Sequence, residues 1–75
     1  MKNEQVLVTK KASGIQSVDG MKEKRLGAQT GSSGYMDFEA NPKILKNKVK
    51  NQKATQYQSF NEALIDLQND RIDGS

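Results

Sequence analysis

The chain has 75 residues, 33% of them hydrophobic, and a net charge of +3 from 12 basic and 9 acidic side chains. That length makes at most one small domain, with an apolar fraction below the ~45–50% of ordinary globular domains. Large enclosed pockets, multi-domain enzymes and membrane-spanning helices are excluded, because the longest apolar runs are Val6-Leu7-Val8 and Ala63-Leu64-Ile65 and a span needs ~20 residues.

Taken in chain order, Met1-Lys2-Asn3-Glu4 carries no apolar run, so no signal peptide is expected at this end. Gln5–Lys10 is β-prone and bounded by Lys11, Ser13 and Gly14, which predicts a strand. Ser17–Lys22 can hold one helical turn, although Gly20 weakens it. The charged run Lys22–Arg25 leads into Leu26–Thr30, a short strand of small residues. After Gly31-Ser32-Ser33-Gly34 the pattern Tyr35, Met36, Phe38, Glu39, Ala40 is helical until Asn41-Pro42 interrupts it. Pro42 opens a second helical piece carrying Ile44, Leu45 and Val49. Ala54–Ser59 alternates as a strand.

Ser59-Phe60-Asn61-Glu62 is a capping box. Behind it Phe60, Ala63, Leu64 and Leu67 fall at i, i+3, i+4 and i+7, one apolar stripe of a helix. Ile65 lies off that stripe, which predicts burial over a wide arc. Asn69-Asp70 ends the helix. Strands alternating with helices imply an α/β fold, a three-layer βαβ-type lobe with a short, mostly parallel sheet, here truncated at its C-terminal end. One partial domain over residues 1–75 is expected, with 1–4 and 74–75 as ends outside it.

Chemistry is narrowly bounded. Without cysteine or histidine there is no thiolate nucleophile, imidazole base, disulfide or ordinary zinc site. No catalytic residue, metal ligand or cofactor is therefore expected. Asp66 and Asp70, four apart on one helix, read as a solvated face. Tyr35 and Phe38 read as core. Lys43, Lys46, Lys48, Lys50 and Lys53 form a basic stretch that attracts phosphates or anionic lipid heads, or is simply a solvated face. It has no arginine and no interleaved aromatic, so nucleic acid is not an expected partner.

The loop Gln29–Gly34 is the one place suited to a ligand. It joins the C-terminal end of a strand to a helix start, where free amides and the positive end of the helix dipole suit a carboxylate or phosphate. Its glycines do not follow dinucleotide spacing, and an ordinary strand-to-helix turn capped by Ser32 or Ser33 is the competing reading.

Three segments carry a resemblance. Val6–Ile15 looks like the entry strand of the second lobe of extracellular solute-binding proteins, of the kind serving ABC importers of polar amino acids. Lys24–Tyr35, Lys-Arg-Leu-Gly-Ala-Gln-Thr-Gly-Ser-Ser-Gly-Tyr, is similar to their K-x-V-G-V-Q-x-G-S-S-G segment. Phe60–Asp73 resembles their E-A-L-x-D-L-x-N-G-R-x-D helix and exit, with Asn69-Asp70 where Asn-Gly is common.

The resemblance implies part of a two-lobed clamp that traps an amino acid outside the membrane and delivers it to an ABC permease, as a membrane-anchored lipoprotein in the full-length parent. Ser32 and Ser33 would donate to the ligand carboxylate, with Gln29 or Thr30 lining the cleft. The first lobe, with its arginine, and the acid for the ammonium group would lie elsewhere in the parent. No covalent chemistry is implied. The rival readings are a sensory receptor with the same clamp, a free-standing basic nucleic-acid module and a lyase on the same fold. Truncation also predicts an unpaired sheet edge through which the chain self-associates.

Overall fold

The parallel arrangement predicted from alternating elements is the one observed. The computed structural model describes residues 5–75, so the reading of residues 1–4 lies outside the described residues. Strand β1 (Leu26–Gln29) pairs in parallel with β2 (Ala54–Tyr57), in the register Leu26 to Ala54 through Gln29 to Tyr57. Helix α1 (Ser33–Ala40) lies in the crossover between them, and α2 (Phe60–Gln68) follows β2. Single 3-10 turns occupy Lys11–Ser13, Val18–Met21 and Lys50–Gln52.

Successive side chains of a strand point to opposite faces, and here that separates two cores. Leu26 joins Met21, Phe38 and Val49 on the α1 side. The next residue, Gly27, faces Ile72 and Tyr57 on the α2 side, where Ala63, Leu67 and Ile72 form the second cluster. A Cβ on Gly27 would stand 2.5 Å from Ile72 Cδ1 and 2.9 Å from Tyr57 Cε2, so the close approach requires glycine. Helix, sheet and helix make three layers. Met21 and Val49 are fully buried, each contributing roughly 1.5–3 kcal/mol by leaving water.

Helix α2 forms one half of the capping box at its start: the Ser59 Oγ accepts from the Glu62 amide at 3.2 Å, while the Glu62 carboxylate does not reach back to the Ser59 amide. Its buried arc is narrower than predicted. Ala63 and Leu67 are buried, but Ile65 is 54% and Phe60 44% exposed. The helix ends at Asn69, and Asp70 takes a left-handed φ of 61°. That conformation costs a residue with a Cβ roughly 1–2 kcal/mol. Its position is held by the Asp70–Lys10 ion pair at 2.8 Å and by the Asp70 carbonyl, which accepts from Arg25 Nη2 at 2.8 Å.

Two elements differ from expectation. Gln5–Lys10 is extended but is not a strand of the sheet; Val8 exchanges reciprocal backbone bonds with Ser75, 2.7 and 3.0 Å. Gly74 forms a parallel bridge to Leu26, and its carbonyl accepts from the Gly27 amide at 2.9 Å. Residues 74–75 thus lie along the edge of β1 away from β2. Pro42–Lys48 is a string of turns rather than a helix. The Asn47 amide reaches back five residues to the Pro42 carbonyl, which a regular helix does not permit. Burial of Val49 and the bonds from the Glu23 amide to the Lys48 carbonyl and from the Lys50 amide to the Lys24 carbonyl hold this segment against the sheet.

Candidate functional site

Gln29 ends β1, and the chain turns through Thr30, Gly31 and Ser32 before α1 begins. The Thr30 amide donates to the Tyr57 carbonyl at 2.9 Å, which ties the turn to the end of β2. Gly31 has a φ of 71°, the left-handed region where glycine pays no steric penalty. Ser32 is the N-cap: its Oγ accepts from the Tyr35 amide at 3.1 Å. Ser33 is the first helical residue, and its Oγ accepts from Gln5 Nε2 at 3.2 Å.

Because both serine oxygens act as acceptors in these bonds, each hydroxyl proton remains available to donate. The amides of Ser33 and Gly34 also find no acceptor among the described residues, as expected for the opening positions of a helix. Four donors therefore cluster at the positive end of α1. No acid stands in the first turn of this helix. The sequence pointed to Ser32 and Ser33 but missed the Gly34 amide, whose signal is its place two residues after the N-cap. It also missed Gln5, for which no local signal exists.

These groups border an open groove of about 480 Å³. Its polar side includes Gln29, Ser32, Ser33 and Gln5, with the acid Asp37 a turn further along α1, and its apolar side includes Leu7, Phe38 and Leu45. Gln29 is half-buried and Thr30 exposed, so of the four predicted residues three line the groove and Thr30 stands at the turn outside it. Such a groove suits a small molecule with one anionic end and an organic body. Tyr35 and Phe38 stack with centroids 6.3 Å apart beneath the turn. The Tyr35 hydroxyl donates to Glu39 at 3.0 Å, and Lys46 bonds the other Glu39 oxygen. These bonds, from Lys46 foremost, hold the Glu39 carboxyl below its ordinary range.

The acids of α2 are engaged structurally. Asp66 accepts from the Tyr57 hydroxyl at 2.8 Å and from Arg71 Nη1 at 3.0 Å, and both lower its pKa. Burial, and then the bond to Asp66, push Tyr57 up to about 12. Asp73 receives Arg25 through Nε and Nη2 at 3.0 and 3.2 Å, and this pairing lowers its pKa. Of the basic stretch, Lys48 pairs with Asp19 at 2.8 Å and Lys46 with Glu39.

This parallel βαβα unit, with a capped Gly/Ser turn at the C-terminal end of its first strand, matches a lobe of a solute-binding protein. The chain is similar to the substrate-binding protein of an ABC uptake transporter from Streptococcus pneumoniae, solved with bound histidine. Identity is 72% and the TM-score 0.89, over 91% of this chain and 28% of that one. It is also similar to a polar amino acid ABC uptake transporter substrate binding protein from Streptococcus thermophilus. There the identity is 68% and the TM-score 0.92, over 95% of this chain and 27% of that one. The chain thus spans about 28% of the length of the first of these solved relatives. No protein-family model and no curated protein matches it. The resemblance read in three segments to polar amino acid ABC uptake substrate-binding proteins holds over nearly the whole chain.

Proposed function

We propose that this chain is the second lobe of an extracellular binding protein that captures a polar amino acid and delivers it to an ABC import permease. The observation that carries the reading is the uncharged, serine-capped start of α1, with four unclaimed donors at the edge of a groove. The ligand's α-carboxylate binds the Ser33 and Gly34 amides and the Ser32 and Ser33 hydroxyls, where the helix dipole adds to hydrogen bonding. Gln29 borders the ligand at the end of β1, while Thr30, exposed at the turn, stands outside the groove. The ammonium group and much of the side chain are held by parts of the clamp outside these 75 residues. Binding and release are the whole of the chemistry, and no bond is made or broken. The working site is outside the cytoplasmic membrane, on a lipid-anchored parent.

The test is a chimera in which this chain replaces the matching segment of the histidine-bound pneumococcal relative, titrated calorimetrically with amino acids. Retained binding that falls about tenfold or more in Ser33→Ala is expected, since a hydrogen bond to a charged group contributes about 1.5–3 kcal/mol. A folded chimera whose affinity is unchanged in both Ser32→Ala and Ser33→Ala removes the turn from the site.

A further inference from the structure

The opposite end of the sheet carries the charge that the Gly/Ser turn lacks. Around the N-terminal ends of β1 and β2, separate stretches of chain meet through the backbone. The Glu23 amide donates to the Lys48 carbonyl at 2.7 Å, and the Lys50 amide to the Lys24 carbonyl at 2.9 Å. The register of Leu26 against Ala54 sets Arg25 beside Lys53. Lys22, Lys24, Lys50 and Lys53 are exposed, and none forms an ion pair among the described residues. Arg25 and Lys48 are engaged by Asp73 and Asp19, and Glu23 is the acid within the group. Glu23, Asn51 and Gln52 take left-handed φ values of 61°, 60° and 54°. The turns that present the lysines therefore hold an unfavourable backbone shape, pinned by the two bonds above.

We propose that this lysine pole docks the chain on an anionic phospholipid surface. The available cations are all lysines, compact charges on flexible stems that suit a diffuse field of headgroups. Base stacking and bidentate phosphate recognition need exposed aromatics and unengaged arginine. Here Arg25 is committed to Asp73, and neither lysine-bearing stretch, 22–25 or 48–53, contains an aromatic residue. Lying on a bilayer by this pole, the chain keeps the Ser32–Ser33 turn at the far ends of the strands, facing water. The inference does not depend on what that turn binds.

Co-sedimentation of the 75-residue chain with vesicles tests it, comparing phosphatidylglycerol-containing with pure phosphatidylcholine membranes. Binding to the anionic vesicles alone, weakening as salt rises, is expected. Lys24→Gln/Lys50→Gln should weaken it roughly 30-fold, at about fivefold per lysine, and Lys22→Gln/Lys53→Gln should do the same. Gln58→Glu/Asn61→Asp makes the same change in net charge at the opposite pole and should cost less than about threefold, because screening confines the attraction to nearby groups. Equal losses in the pole and control variants, absence of binding to anionic vesicles, or tighter binding to duplex DNA than to them would each overturn the assignment.

Discussion

Among the described residues two strand-to-helix turns share a serine cap, one of three residues through the left-handed Gly31 and one of two, and they differ in the charge that follows the cap. In both, a parallel strand ends and a serine caps the next helix: Ser32 accepts from Tyr35 at 3.1 Å, Ser59 from Glu62 at 3.2 Å. The second helix carries Glu62 in its first turn, whereas the first carries no acid there. A carboxylate at that position answers the positive end of the helix dipole from within the chain. The α2 start is thus answered from within the chain, and the α1 start is the one where the proposed function places the ligand's carboxylate.

Exchanging that charge should break the distinction. Ser33→Glu places an acid in the first turn of α1, where it should stabilise the helix by about 0.3–1 kcal/mol. In the chimera it should also abolish amino-acid binding, more than ~100-fold, since like charges in contact cost several kcal/mol. A stabilised chimera that still binds in calorimetry would show that the carboxylate lies elsewhere. Removing the caps separates stability from binding. Ser32→Ala and Ser59→Ala should each lower unfolding free energy by about 1 kcal/mol in urea titrations. Only Ser32→Ala should also weaken the ligand, by about tenfold.

The α2 side is tied down by carboxylates, so acid should loosen it. Asp66 and Asp73 have lowered folded-state pKa values. Their stabilisation is complete above the unfolded value near 3.9 and is lost as pH falls through the lower folded values. Melting temperature should fall over that range, and Asp66→Asn should flatten the fall. The smallest effect is expected from Glu62→Gln, a loss of about 0.3–1 kcal/mol in stability with ligand affinity unchanged.

What was legible in the sequence follows the distance over which each element is determined. Helix α2 and its cap are specified by residues within eight positions of one another; the helix and the serine cap form as read, the return bond from the Ser59 amide to Glu62 does not, and the buried arc is narrower. The Gly/Ser turn is likewise local, from Gln29 to Gly34. The extended Val8 segment is not, because its partner is Ser75, at the other end of the described chain. An alternating pattern cannot say which edge it will meet. Pro42–Val49 has the residues of a helix start but too little apolar surface to hold one; burial of Val49 and the reach of Asn47 to Pro42 decide its path. The exposure of Ile65 follows from the same limit, since nothing nearby in sequence says how wide a surface α2 meets. The partners of Lys46, Lys48 and Asp66 were hidden because ion pairs and side-chain bonds across 5–29 positions leave no periodicity. Of the site, the loop's own residues supplied the serines and the expectation of free amides, the resemblance gave them a carboxylate to bind, and the geometry singled out the Ser33 and Gly34 amides.

The reciprocal bonds between Val8 and Ser75 have a mechanical consequence. They form an antiparallel pair, so the amide side of the chain entering Val8 and the carbonyl end of Ser75 point the same way along the edge. Tension applied between those two ends opens the pair like a zipper, loading one contact at a time. Next in line is the bridge from Gly74 to Leu26, with its bond to Gly27. The β1–β2 ladder and both helices bear no load until those contacts part. The junction should therefore yield at low force and re-form when released, while the layers behind it keep their shape.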